Sequence, residues 1–424
     1  MFSRSLRALT LLLAALLAAC SAPIVTPAPT PSLASIGTPS PAPSQQLPTP
    51  SSPTPTPLNT HEGPTPPPTL PAGPLADALG PQLDDVLQQT LEQYRIPGQT
   101  ATVIFPDGSR WNGAAGVSDV ANATPVTPDT TFVTGSITKT FVASTIMQLQ
   151  EEGVLSIDDP LSDWLPDYPN AENITLRQLL SHMSGLFNYF LHPEYNSTVF
   201  NNPDHHWTPQ EVLDDFVLDP KAEPGARYYY SNTNFLLLGM VVEKATGKQL
   251  GEVLHERFLD PLGLDDTYVQ GYEEPAPGSA LGCLQKPNGP ECLDDGTNYR
   301  PTLSAGTVAW GAGDIISTAS NLADWVRDIY GDHVLEPESL AEMTNYVERG
   351  NDSYGLGTRT RMSAGHRSFG HTGSLRGFDA AMWHYPDIDT SIVVLTNRGR
   401  IEANPIVDAL AAIAVPYSEA YLAQ

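Results

Sequence analysis

Apolar and polar positions fall into three patterns along the chain. From Ala8 to Leu17 the residues are almost all apolar, behind the basic pair Arg4 and Arg7. Residues 21–74 show no period at all. From residue 75 onward the pattern becomes regular. Leu83, Leu87 and Leu91 recur every four residues, joined by Val86 and Tyr94, and predict a helix that opens at Gly80-Pro81 and breaks at Ile96-Pro97-Gly98. Thr100 to Phe105 and Arg110 to Val117 predict two strands around the turn Pro106-Asp107-Gly108. Ile137, Phe141, Val142, Ile146, Met147 and Leu149 restore helical spacing, stopped by Gly153. From Asp158 to about Tyr272 short helices alternate with loops. Thr175 to Met183 is one such helix, with Leu176, Leu179 and Leu180 on its apolar face; Leu236 to Lys244 is another. The period then returns to two over Tyr354 to Arg361, Ser368 to His371, Phe378 to His384 and Thr390 to Leu395. A final helix is expected over Ala403 to Ala414. Strands at both ends and helices between them imply an α/β protein of the α+β kind. Its antiparallel sheet is built from N- and C-terminal strands and flanked by helices, with an inserted, mainly helical lobe. No internal repeat is present.

The first apolar run is an export address rather than part of the fold, and it is short for a membrane span. Its end, Leu17-Ala18-Ala19-Cys20, resembles the lipobox of bacterial lipoproteins. That resemblance implies a signal peptide over residues 1–19, a lipidated Cys20 and a location in the cell envelope, outside the cytoplasm and anchored to the membrane by lipid. A plain secretory signal cleaved after Ala19 is the alternative. Residues 21–74 hold 18 of the 41 prolines and only one charged residue, Glu62, so they bury too little apolar surface to offset ordering. Residues 20–74 therefore read as a Pro/Ser/Thr-rich tether, and 75–420 as the folded body.

Composition narrows the chemistry. The 48 acidic against 21 basic residues, a formal net charge of −27, argue against a nucleic-acid partner. Three cysteines are too few, and too scattered, for a zinc site. His205-His206 lacks a partner at ligand spacing, and the expectation is no metal and no cofactor.

Three patches carry the candidate chemistry. Ser136-Ile137-Thr138-Lys139 opens an apolar helix on which Lys139 is the only charge between Ser136 and Glu151. A serine three positions from a lysine shares its helix face. A hydroxyl nucleophile needs a base in reach, and lysine serves when desolvation lowers its pKa. The second patch is Tyr230-Ser231-Asn232, just before a helix. The third is His371-Thr372-Gly373-Ser374, at the end of a strand. In this order the patches resemble the serine beta-lactamase and penicillin-binding superfamily, in its class C beta-lactamase, D-alanyl-D-alanine carboxypeptidase and esterase branch. Leu179-Leu180-Ser181-His182-Met183-Ser184-Gly185-Leu186 and Gly311-Ala312-Gly313-Asp314 also look familial. The resemblance covers about residues 80–415.

The resemblance implies an acyl-enzyme on Ser136, with Lys139 and Tyr230 sharing the base role: a lysine ammonium lowers the phenol's pKa, burial lowers the lysine's, and the sequence does not choose between them. It implies an oxyanion hole made by the backbone N–H groups of Ser136 and Ser374, and a substrate amide held by Asn232 and by the strand carrying His371, Thr372 and Gly373. His371 stands where class C beta-lactamases have Lys and points to peptidase or esterase chemistry, with a pH limb expected where imidazole titrates. Arg376 is a candidate for the missing positive charge, and Trp310 for the cleft wall. The first functional choice is a D,D-carboxypeptidase-like hydrolase acting on a peptide or small acyl substrate, the stem peptide of peptidoglycan among them. A carboxylesterase or weak beta-lactamase is the alternative, and a catalytically silent surface binding module a third. Ser181-His182 reads as structural, since neighbours on a helix diverge. No Gly-x-Ser-x-Gly elbow occurs. With Cys20 lipidated, Cys283 and Cys292 remain and are expected to form a disulfide across the Pro-Asn-Gly-Pro turn, on the rim of the cleft.

Overall fold

Consecutive residues of the C-terminal strands point into two different cores. Ala380 and Met382 face one apolar cluster, Ala381, Trp383 and Tyr385 the other; Val393 and Leu395 alternate with Ile392 and Val394 in the same way. A strand alternates its side chains between the two faces of a sheet, so a sheet covered on both faces reads as a continuous apolar run. The computed structural model of the protein describes residues 68–274, 277–283, 301–331, 333–346 and 352–424. The signal segment, Cys20, nearly all of the tether and Cys292 lie outside them.

The strands are β1 (Gly98–Ile104), β2 (Arg110–Asp119), β3 (Thr124–Pro125), β4 (Phe132–Val133), β5 (Tyr268–Val269), β6 (Ile315–Ser317), β7 (Asp352–Tyr354), β8 (Arg359–Ser363), β9 (His366–Leu375), β10 (Phe378–Tyr385) and β11 (Thr390–Thr396). Eight form one sheet in the order β3-β2-β1-β11-β10-β9-β8-β7. Every pairing in it is antiparallel, and β1 lies against β11, so the two ends of the body meet in mid-sheet. This is the expected architecture. A second sheet, β4-β6-β5, was not legible, because its strands are only two or three residues long.

One face of the large sheet is covered by the N-terminal helix Leu75–Tyr94 and the C-terminal helix Asn404–Leu422. Leu79, Leu83 and Leu87 meet Ile406, Val407 and Leu410 there, all essentially inaccessible, and Leu70 already packs against this layer. Each fully buried Leu or Ile stabilises the fold by about 1.5–3 kcal/mol relative to exposure. The other face carries the helical lobe, including the helices Thr138–Glu151, Asn232–Thr246 and Ala319–Tyr330.

Some boundaries differ from expectation for physical reasons. The N-terminal helix starts five residues before Gly80, because the β1–β2 turn caps its first turn: Leu75 N–H donates to Asp107 Oδ2 (2.8 Å) and Ala76 N–H to Ser109 Oγ (3.0 Å). Pro81 then sits inside the helix. The final helix likewise continues through Pro416 to Leu422 instead of ending at Ala414. The strand expected over Tyr354 to Arg361 is two strands, β7 and β8. The break contains Gly357 at φ 72°, with the helix of Lys139 so close that a Cβ would meet Ala143 Cβ at 2.3 Å. No helix among the described residues is long and apolar enough to cross a membrane.

Candidate active site

Ser136 lies in a 3₁₀ turn, Gly135–Ile137, that leads straight into the helix Thr138–Glu151. Two glycines let this turn press against the end of β9. Gly135 has φ 55°, and a Cβ there would sit 3.0 Å from Ser374 N. A Cβ on Gly373 would meet Thr134 O at 1.8 Å. Any side chain at either position would hold the two backbones apart. With glycine at both, the main chains of Ser136 and Ser374 run side by side.

The structure brings the three patches together. Ser136 Oγ lies 3.1 Å from Lys139 Nζ and 2.9 Å from Tyr230 Oη. Lys139 is fully buried, and its Nζ also donates to Asn232 Oδ1 (2.8 Å) and to the carbonyl of Ala312 (2.5 Å). Asn232 is fixed in turn by Asn188, whose Oδ1 accepts from the Asn232 amide nitrogen at 3.1 Å. One amide hydrogen of Asn232 is left for a ligand. The pocket around Ser136 has a volume of about 430 Å³. Tyr230, Asn232, Thr372, Gly373 and Ser374 line it, with Phe190, Arg359, Asp379 and Glu402.

Electrostatics separate the two candidate bases. Burial, and the Arg359 charge after it, hold the Lys139 amine well below its usual range, against the opposing pull of Asp314. Burial pushes the Tyr230 phenol up, more than the Ser136 hydrogen bond and Arg359 lower it. Desolvation thus acts on the two groups in opposite directions, lowering the amine and raising the phenol. Asp314 is itself fully buried, and burial pushes its carboxyl up to about 8, more than its own backbone N–H and the Lys139 charge lower it.

His371 lies deeper than expected. It is completely buried and is not part of the pocket lining. Its Nδ1–H donates to Thr372 O (2.5 Å), so Nε2 accepts from Tyr354 Oη (3.1 Å). Burial, then Arg359 and Lys139, depress its pKa well below the ordinary imidazole value, so a limb from this group is expected below pH 6.5 rather than at it. Arg376 is placed with its guanidinium over the Phe200 ring, 3.9 Å from the centroid. The Trp310 indole packs on Gly239, on the helix Asn232–Thr246. Neither lines the pocket. Cys283 is disulfide-bonded and buried, and its N–H donates to Asn397 O (2.8 Å); Cys292 lies outside the described residues. Arg359 was missed. It belongs to a run read only as strand, and its approach to Tyr230 (5.8 Å to the ring centroid) comes from the β8–β9 register, Arg359 opposite Gly370. A groove of about 990 Å³ near Trp164, Tyr168 and Leu213 is larger than the Ser136 pocket but shares no residue with it. Among the described residues no group of three or more His, Cys, Asp or Glu side chains is arranged to hold a metal ion.

Comparison with known proteins agrees with this geometry. The Beta-lactamase family model matches residues 83–415, and the chain belongs to that family. It is similar to the Unguisins hydrolase ungD' of Aspergillus campestris, with 28% identity over 76% of this chain and 62% of that protein. It is also similar to Penicillin-binding protein 4* of Bacillus subtilis, with 27% identity over 72% of this chain and 69% of that one. The chain thus spans about two thirds of these relatives' length. Among solved structures it resembles a D-stereospecific amidohydrolase from Streptomyces sp., with a TM-score of 0.68 and 31% identity, covering 77% of this chain and 98% of that one. The protein is a serine hydrolase of the beta-lactamase and penicillin-binding superfamily.

Proposed function

We propose that the chain hydrolyses amide bonds of D-amino-acid substrates through an acyl-enzyme on Ser136, with a D,D-carboxypeptidase-like action on cell-wall peptides as the first choice. The observation that carries this reading is the hydrogen-bond pattern at Lys139. Two of its contacts, Asn232 Oδ1 and Ala312 O, are carbonyl oxygens that only accept. They take both hydrogens of a neutral amine, which leaves the lone pair facing the Ser136 hydroxyl. Lys139 then removes the Ser136 proton as Oγ attacks the acyl carbon, and the N–H groups of Ser136 and Ser374 hold the oxyanion. As the tetrahedral centre collapses, Tyr230 O–H protonates the leaving amine and the Lys139 ammonium returns the proton to Tyr230. Water repeats the sequence on the ester and frees Ser136.

Two features support an amide of D-amino acids with a free carboxylate. One is the likeness to a D-stereospecific amidohydrolase and a penicillin-binding protein. The other is Arg359 on the pocket wall, which supplies the cation that a neutral His371 does not. A second reading, an esterase acting on neutral acyl esters, is favoured by Asp379 and Glu402, carboxylates in the same pocket that oppose an anionic substrate. Purified protein assayed against a D-Ala-D-Ala peptide, a p-nitrophenyl ester and a chromogenic cephalosporin separates them. Turnover of the ester alone would overturn the peptidase reading. The proposal includes lipid anchoring outside the cytoplasm; palmitate labelling lost in Cys20→Ser supports it, and equal labelling of both proteins overturns it.

A further inference from the structure

His182 closes the helix Leu176–Leu180 and was read as structural; its surroundings give it a more specific task. The residue is fully buried and has φ 57°, a conformation costly for a side chain with a Cβ. This backbone turns its carbonyl and its ring toward the same neighbouring segment. The His182 carbonyl accepts from Tyr229 N–H at 2.8 Å. Its Nδ1 accepts from Ser231 N–H at 3.3 Å. Tyr230 lies between these two bonds, and its ring packs on the imidazole with centroids 4.2 Å apart.

The ring is itself held. Asn234 Oδ1 accepts from Ser184 Oγ (2.7 Å) and its amide nitrogen donates to Leu179 O (3.0 Å), so the amide orientation is set. The same amide nitrogen lies 3.2 Å from His182 Nδ1. With two N–H donors directed at Nδ1, the imidazole proton sits on Nε2. Tyr354, whose ring is 4.7 Å from His182, closes the adjoining side.

We propose that His182 is a positioning residue for Tyr230: it clamps residues 229–231 from one side and fixes the phenol against Ser136 Oγ. The proposal rests on the serine-hydrolase reading and adds to it a residue that touches neither substrate nor Ser136. The strained backbone has a use here, since an ordinary helical φ would turn the carbonyl or the ring away from the segment it holds. Truncation of the ring would leave the Tyr230 side chain free to lean into the vacated space. A shift of about 1 Å at a catalytic group costs on the order of 100-fold in rate.

The test measures labelling of Ser136 by a fluorophosphonate in the full chain. End-point amplitude gives the competent fraction, and the concentration dependence separates the limiting rate (kinact) from apparent affinity (KI). In His182→Ala the limiting rate per competent site is expected to fall ~10- to 100-fold, with KI within about threefold. His182→Asn tolerates the left-handed backbone and places an oxygen where Nδ1 was, so it keeps the clamp and loses only the ring contact. Its limiting rate is expected to fall only ~3- to 10-fold by the same argument. A purely structural role would lower the amplitude and the melting temperature and leave the rate per competent site alone; that result overturns the proposal. If His182→Ala does not fold, His182→Asn decides: a limiting rate equal to wild type overturns the proposal, and a partial loss supports it. Wild type that is not labelled at Ser136 would overturn the serine-hydrolase reading itself, a failure distinct from a labelled wild type whose rate ignores His182.

Discussion

The two faces of the large sheet are equally dry and differ in what they bury. On the face under the terminal helices the fully buried side chains are mostly Leu, Ile, Val and Ala, with Phe105, Trp383 and Tyr385 and the uncharged polar Gln99, Thr390 and Ser418. The opposite face buries Lys139, Asn232, His182, His371 and Asp314 among its apolar residues. An apolar contact gains free energy wherever it is made, whereas a buried amine or carboxyl costs unless its partners stand in place. The first face therefore supplies stability mainly through apolar contact, with its few buried polar groups hydrogen-bonded and uncharged. The second spends some of it on groups whose protonation is shifted by burial, the kind of shift on which the proposed base role of Lys139 depends.

If that division holds, substitutions on the two faces should separate activity from stability. The largest effect is expected from Ser136→Ala, which should lower turnover by roughly 10⁴-fold or more with almost no change in melting temperature; a folded variant with appreciable turnover would remove Ser136 from the site. Leu410→Ala tests the other face. Loss of a fully buried Leu should cost ~2–5 kcal/mol by chemical denaturation, while kcat per labelled Ser136 stays at the wild-type value. A fall in kcat would mean that the two faces are mechanically coupled.

Asp314→Asn sharpens the comparison within the chemical face. Burial raises the native carboxyl to about 8, above its unfolded value near 3.9. Between these values the native state binds more protons than the unfolded state, so this group's contribution to stability is full below about pH 4 and is lost as pH rises through 8. The Asn variant lacks that loss, and its melting temperature relative to wild type should climb from pH 5 to pH 8. A constant difference would show that Asp314 is ionised in the native state.

The smallest effect is expected at the start of β9, at the end of that strand away from Ser374. Burial lowers the His366 pKa, but hydrogen bonds to Asp387 (2.6 Å) and Glu419 (2.9 Å) outweigh it and leave the value raised. Its stabilisation is complete below the unfolded value near 6.5 and disappears as pH rises through the native one. His366→Gln should cost about 1 kcal/mol or less at pH 6 and nothing at pH 9, with unchanged labelling of Ser136.

The sequence by itself determined the period-two strands at both ends, the helical lobe between them, and Ser136, Lys139, Tyr230 and Asn232 as one site. These are local or ordered signals: alternation, helical spacing, and three patches in sequence. Tertiary structure alone decided what those residues experience. Whether Lys139 loses its proton depends on its burial first and then on Arg359 and Asp314, which come from distant parts of the chain. Trp310, Arg376 and His371 were assigned to the cleft from position along the chain, yet the packing of the helix Asn232–Thr246, Phe200 and Tyr354 sets where they point. Arg359 carried no motif, and His182 lay in a stretch that looked familial without a role, because their placement arises from strand register and from a left-handed turn. Desolvation has the same origin. It sums over every atom packed around a group, and neighbours brought together only by folding leave no mark on the residues beside it in the chain.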